Sequence, residues 1–302
     1  MRLTDAQWTD LLRVRATDPS AVTRAYAARR RRRSLLRPGR DTLFLVAADH
    51  PARGALAIGG DPLAMANRRS LLERLLTALA NPEVDGVLAS PDVVEELLLL
   101  DALHDKVVIG SMNRGGLAGA TWEIDDRFTG YDAASIARYG LDGGKMLLRL
   151  VDDDPATAPT LESAAAAVSE LADEGLLAMV EPLPYRRVDG KLELLKDSAS
   201  LARAVTIASG LGTTSAYTWL KLPAALSPEP LEATTLPVVV LGGAPSNDPA
   251  QDLASWGAAL RHPVVRGLVV GRALLYPPDG DVAAAVAAAA KTLQSVEANE
   301  DV

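Results

Sequence analysis

Eight short apolar runs, separated by segments with helical spacing, constrain this chain more than any other feature. They are Leu43–Ala48, Val84–Ala89, Lys106–Gly110, Gly143–Leu148, Leu177–Glu181, Ala216–Leu222, Pro237–Leu241 and Gly267–Val270. Several are apolar almost throughout, which suits parallel strands buried on both faces. Helical periodicity fills the intervals, as in Arg69–Leu79, Pro91–Leu103, Glu162–Glu174, Ser198–Ser209 and Asp248–Leu260. Strand and helix alternating in this way, with no break in composition, predict an α/β protein that closes as a (β/α)8 TIM barrel. An open doubly wound sheet would favour a glycine-rich turn after its first strand, where this chain has Asp49-His50-Pro51. Gly210-Leu211-Gly212 precedes a strand instead of following one, so it is not a dinucleotide fingerprint.

The predicted organisation is an N-terminal helical extension over 1–40, the barrel over 41–295 and a flexible tail over 296–302. Asp281–Leu293 reads as a closing helix. In the extension, Thr4 caps a helix carrying Trp8, Leu11 and Leu12, and Asp18-Pro19 opens a second that runs into Arg29–Arg33. The extension is expected under or beside the barrel. Its five arginines read as a solvated helix end pairing with the protein's own acidic surface, a nucleic acid or acidic partner being the alternative.

Charge and composition narrow the function. A formal charge of −8 argues against a general nucleic-acid binder. With no cysteine, thiol nucleophiles, disulfides and cysteine-ligated metals are excluded. No apolar run approaches the roughly 20 residues of a membrane span, and Arg2-Leu3-Thr4-Asp5 carries no signal core. The expectation is a cytoplasmic protein with a small-molecule partner, no nucleic acid and no membrane, associating as a homo-oligomer.

Barrel chemistry sits at the C-terminal ends of the strands, so charged residues there are the candidates. Strand one ends in Asp49-His50, and alternation turns Asp49 inward with Leu45 and Ala47. Lys145, Glu181 and Lys221 lie on the fourth, fifth and sixth strands. Those strands are neighbours about 4.8 Å apart, so the carboxylate can sit between the two amines. A lysine beside another cation in an apolar wall has its neutral amine favoured, as a Schiff-base nucleophile needs. Gly242-Gly243-Ala244 and Gly271-Arg272 end the last two strands, where barrels often bind phosphate. Arg114, after the third strand, is a further candidate anion contact. Each has a structural alternative: an ion pair for the lysines and Glu181, a loop cap for Asp49, a loop hydrogen bond for His50, tight turns for the glycines. The only histidines, His50, His104 and His262, lack paired-ligand spacing, so neither metal nor cofactor is expected.

At these residues the chain resembles class I aldolases of the tagatose-bisphosphate aldolase type, within the deoxyribose-phosphate aldolase-like superfamily. The resemblance covers roughly 41–293 and rests on Asp49-His50, Gly143-Gly144-Lys145, Val180-Glu181-Pro182, Leu220-Lys221-Leu222-Pro223, Gly242-Gly243 and Gly271-Arg272. It implies that Lys221 forms the Schiff base, Glu181 moves protons and Lys145 assists. More narrowly, the chain is similar to aldolase-like barrels encoded with inositol catabolism in actinobacteria, which implies 2-deoxy-5-keto-gluconate 6-phosphate as a candidate substrate. Two departures stand out. Pro237–Gly243 carries no lysine of the deoxyribose-phosphate aldolase kind, and Trp122–Arg127 matches no family element, which suggests a specialised pocket. The expected function is cleavage of a phosphorylated ketose through a lysine Schiff base. A Schiff-base acyltransferase or transaldolase, a metal-dependent barrel enzyme using Asp49, His50 and Glu181, and a non-catalytic metabolite-binding barrel are the alternatives.

Overall fold

The computed structural model describes residues 2–224, 227–243 and 248–300. Ala244 and residues 301–302 of the expected tail lie outside the described residues. Eight parallel strands close a ring: β1 Leu43–Ala48, β2 Gly86–Ala89, β3 Val107–Ser111, β4 Gly143–Leu150, β5 Leu177–Val188, β7 Thr218–Pro223, β8 Val238–Leu241 and β9 Val265–Val270. β1 pairs with both β2 and β9, and β4–β5 pairing completes the circle. The (β/α)8 barrel expected from the sequence is the fold. α3 Arg68–Leu79, α4 Pro91–Leu99, α5 Ala133–Arg138, α6 Thr157–Asp173, α7 Ser198–Ser209, α8 Glu229–Glu232, α9 Pro249–Leu260, α10 Arg272–Leu275 and α11 Val282–Glu300 follow the strands. α11 extends into the stretch expected to be a flexible tail. Among the described residues, no helix is long and apolar enough to cross a membrane.

Alternation along the strands builds two cores. Leu43, Leu45 and Ala47 face the barrel interior with Leu88, Ile109, Met179, Val239 and Val269. Phe44, Val46 and Ala48 face outward, in the layer shared with the helices. The next inward position after Ala47 is Asp49, so the pleat itself delivers a carboxylate to the top of the interior.

Close strand approach explains Gly267. Its φ is +133°, and a Cβ there would lie 1.9 Å from the Leu43 carbonyl oxygen on the neighbouring strand. Backbone cannot yield as a flexible side chain does. Gly267→Ala is therefore expected to cost about 3 kcal/mol or more, by analogy with overpacked and strained sites. A thermal melt of the variant with an unchanged midpoint would refute this.

The extension seals the bottom of the barrel. α1 Asp5–Thr17 begins in a capping box between Thr4 and Gln7, and α2 Ser20–Ala28 ends before the arginines. Arg29–Arg33 is thus not a helix end, and it is not simply solvated. Arg29 is buried and donates to the carbonyls of Lys106 (2.8 Å) and Gly140 (2.6 Å). Arg30 pairs with Asp105 at 3.1 Å, Arg31 with Asp142 at 3.6 Å, and Arg32 with buried Asp85 at 2.7 Å. These aspartates sit just before β3, β4 and β2, so the run clamps the N-terminal strand ends. The pairing with the protein's own acids was expected; the burial of Arg29 was not, and it is offset by the two carbonyls and by Asp142 at 3.5 Å. Leu35 and Leu36 then pack beneath the inner core as a plug.

β5 does not stop at Glu181. It runs on to Val188 and turns through Asp189-Gly190 into β6 Lys191–Leu194, pairing antiparallel from Tyr185↔Leu194 to Val188↔Lys191. Both turn residues have positive φ, 49° and 77°, as a two-residue hairpin of matching twist requires. This hairpin stands above the barrel mouth.

Candidate active site

The inward pleat of four strands delivers one continuous row of charge. Lys145 is opposite Met179 on β5, and Lys221 is opposite Val239 on β8. Lys145 Nζ lies 2.5 Å from Glu181 Oε2, and Lys221 Nζ lies 2.9 Å from Glu181 Oε1. Behind them, Lys145 Nζ is 3.4 Å from Asp49 Oδ2, to which Arg114 donates at 2.7 Å and Ser111 Oγ at 3.1 Å. Arg114 also donates to the Asp49 carbonyl. All five charged residues are buried. The sequence placed the carboxylate between the amines, and the structure brings them together there.

Burial at this depth makes protonation a contest between desolvation and neighbouring charge. For Glu181, burial pushes the pKa up, but the Lys145 and Lys221 charges and their hydrogen bonds prevail and hold it down to about 2. Asp49 follows the same logic: burial raises it, and Lys145 and Arg114 hold it well below the usual range. Lys145 moves the other way. Burial lowers its pKa, Asp49 and Glu181 oppose this, and the Lys221 and Arg114 cations add to it.

A cavity of about 710 Å³ opens over part of this row. Glu181, Lys221 and His50 line it, with Gly242, Gly243, Gly271 and Arg272 from the ends of β8 and β9. Asp49, Lys145 and Arg114 do not; they lie behind Glu181 and Lys221. Arg114, expected as an anion contact, is corrected to a structural role, because its guanidinium is spent on Asp49. His50 is held neutral: burial drives its pKa down, Asp49 opposes, and the Arg272 and Lys221 charges add to the depression. Its Nδ1 has no hydrogen-bond partner.

Arg272 differs from the other cations. It forms no ion pair among the described residues, and its Nε is buried without a partner. The glycines around it keep the wall free of side chains. A Cβ on Gly242 would lie 2.3 Å from Val270 Cγ1, and one on Gly271 2.5 Å from the Ala47 carbonyl oxygen. An unspent guanidinium beside bare backbone suits a phosphate.

The opposite side of the mouth is closed. Arg53 pairs with Asp126, and Arg149 lies 3.0 Å from Glu123 and 3.6 Å from Asp126. Asn113 bridges this loop to β4, accepting the Leu147 N–H at 2.8 Å. Trp122–Arg127, expected to specialise the pocket, contributes no residue to the cavity wall; it is a stopper over β4. Sequence reasoning missed the hairpin side instead, where Tyr185, Leu194, Leu195 and Lys196 line the cavity. Asp189-Gly190 between two strand-like stretches was the available signal. Among the described residues, no cluster of His, Asp and Glu is arranged to hold a metal.

Comparisons with known proteins agree with this architecture. Cgl0159 from Corynebacterium glutamicum has 48% sequence identity and a TM-score of 0.94, covering 97% of this chain and 98% of its own. An archaeal fructose-1,6-bisphosphate aldolase, solved with its catalytic lysine covalently bound to a carbinolamine intermediate, superposes at a TM-score of 0.61 and 16% identity, covering 84% and 94%. The fructose-bisphosphate aldolase from Slackia heliotrinireducens gives a TM-score of 0.64 at 15% identity, covering 87% of each chain. At such identities the two aldolases speak for a shared barrel fold. No curated protein matches the sequence. A family model matches residues 41–290, and the chain belongs to the Cgl0159-like family.

Proposed function

We propose that this protein is a class I aldolase that cleaves a phosphorylated ketose through a Schiff base on Lys221. The observation that carries the proposal is that Lys221 alone of the two buried lysines reaches the cavity, 2.9 Å from Glu181 and on the same wall as the unspent Arg272. The shared fold with Schiff-base aldolases supports the same reading.

Lys221 must lose a proton before it attacks. Glu181, 2.9 Å away, accepts it and later gives it to the carbinolamine hydroxyl, which leaves as water, while Lys145 holds the other carboxylate oxygen. The neutral amine adds to the ketone carbon, water leaves, and an iminium remains. Glu181 then removes the proton of the β-hydroxyl. The carbon–carbon bond breaks, its electron pair moves to the iminium nitrogen, and the aldehyde departs. Protonation of the enamine carbon and hydrolysis release the second product and restore the amine. Gly242, Gly243, Gly271 and Arg272 hold the phosphate, and neutral His50 offers a hydrogen bond to a substrate oxygen. 2-Deoxy-5-keto-gluconate 6-phosphate, with its phosphate next to the ketone, fits this arrangement and is the candidate substrate.

Cleavage of that compound and of other ketose phosphates, followed by aldehyde release, tests the proposal. Turnover should survive chelating agents; turnover abolished by chelation would transfer the chemistry to a metal. Arg272→Gln should raise KM for phosphorylated ketoses by about 10- to 100-fold, the worth of a charge-assisted hydrogen bond. A pure kcat effect with KM unchanged would remove Arg272 from phosphate binding.

A further inference from the structure

We infer that the groove between α9, α10 and α11 is a second small-molecule site, for an apolar ligand carrying a cationic group, and that its occupant acts on the phosphate turn. The site itself goes beyond the aldolase reading. The coupling rests on one part of that reading, the assignment of phosphate to Gly242 and Arg272.

Helix packing leaves the space. α11 packs on both α9 and α10. At Gly257 the approach of α9 to α11 is close, and a Cβ there would lie 3.3 Å from Thr292 Cγ2. Earlier in the same helix, α11 offers only Ala284, Ala285 and Ala288, and a cavity of about 410 Å³ remains. Pockets for small organic ligands start at about 300 Å³. Leu253, Trp256, Leu274, Pro277 and Pro278 supply an apolar wall. Its charged residues are Asp252 and Asp279, and among the described residues no lysine or arginine lines it. Two carboxylates on an apolar wall complement an ammonium group on an apolar body and disfavour an anion. The Trp256 indole is a further favourable neighbour for a cation. The other cavity is lined by the cations Lys196, Lys221 and Arg272, so the two do not compete for the same molecules.

Two elements connect the cavities. Trp256 and Asp252 line both, so α9 is the partition between them. A Cβ on Gly242 would lie 3.2 Å from Trp256 Cζ2, which sets the indole directly against the backbone proposed to hold phosphate. In α10, Arg272 lines the substrate cavity, and the next two residues, Ala273 and Leu274, line the groove. A ligand in the groove therefore supports both halves of the phosphate turn from behind. It should tighten phosphate binding, and phosphate should tighten the ligand by the same factor.

Calorimetry on the whole protein tests the site with 2-phenylethylammonium, uncharged 2-phenylethanol and anionic phenylacetate. The ammonium probe should bind about fivefold or more tighter than the alcohol, and phenylacetate weakest. It should also shift the indole N–H resonance of Trp256, assigned with Trp256→Phe. Ala285→Leu, which fills the groove, should abolish binding of the ammonium probe. Asp279→Asn keeps an acceptor for the Asp281 N–H, which lies 3.0 Å from the aspartate, and should remove most of the preference for charge. Saturating ammonium probe should tighten inorganic phosphate by about fivefold in wild type and not in Ala285→Leu. Equal binding of the three probes, tightest binding of phenylacetate, or ammonium binding that survives Ala285→Leu would overturn the site. Absence of all binding would overturn it too; a change in sedimentation on Ala285→Leu would then make the groove a contact between copies of the chain. An unchanged phosphate affinity with the probe bound would overturn the coupling. Phosphate that binds in neither state would instead remove the phosphate reading of Gly242 and Arg272 and leave the groove standing.

Discussion

Lys221→Met is expected to fold normally and to lose cleavage activity by roughly 10⁴-fold or more, because removal of a covalent nucleophile leaves only binding and electrostatics. Methionine keeps much of the length and volume of the side chain in the buried site. Glu181 loses one partner but retains Lys145 at 2.5 Å, so no carboxylate is stranded. Lys145→Met should be less severe, since that lysine stays behind Glu181 and out of the cavity. Steady-state rates on the same ketose phosphate, with circular dichroism to verify folding, separate these cases. Equal residual activity in the two variants would place the chemistry on neither lysine in particular.

Asp49→Ala should strike stability instead. Among the described residues, Asp49 is the only carboxylate paired with both Arg114 and Lys145, and its loss leaves two buried cations short of charge. Breaking a buried pair from one side typically costs about 3–5 kcal/mol. Its pH dependence has a definite sign. Asp49 and Glu181 are both held below their ordinary values of 3.8 and 4.5, Glu181 at about 2. Their stabilisation is complete above the unfolded-state values and disappears as pH falls through the folded ones. Wild type should therefore lose stability progressively below about pH 4.5, and Asp49→Ala should lose less over the same range. Denaturant titrations at neutral and acid pH would show it; parallel curves would mean that Asp49 is not held by its partners.

The strands and the central row of the site were legible because both depend on short-period patterning. Continuous apolarity located the start of every barrel strand to within two residues, although β5 runs on past its expected end, and alternation turned Asp49 inward. Neighbouring strand order was enough to bring Lys145, Glu181 and Lys221 together. What failed depended on partners remote in sequence. Arg114 looks like a free cation until Asp49, 65 residues earlier, is seen to take its charge. Five consecutive arginines look solvated until each of Asp85, Asp105 and Asp142 is recognised as sitting at a strand entrance. The hairpin was not read from the sequence, where Pro182 and Pro184 interrupt the apolar run. They lie opposite Leu148 and Leu150, where β4 itself is ending. The glycine turns and Arg272, proposed to hold phosphate, were therefore visible in the sequence, and the hairpin wall of the cavity was not.

The most direct test of the central claim is borohydride reduction of the protein in the presence of dihydroxyacetone phosphate, read by intact and peptide mass spectrometry. The account predicts one covalent adduct, on the peptide containing Lys221, absent from Lys221→Met. A folded wild-type protein that gives no adduct with this ketone or with a panel of ketose phosphates, or an adduct on Lys145 instead, would contradict it.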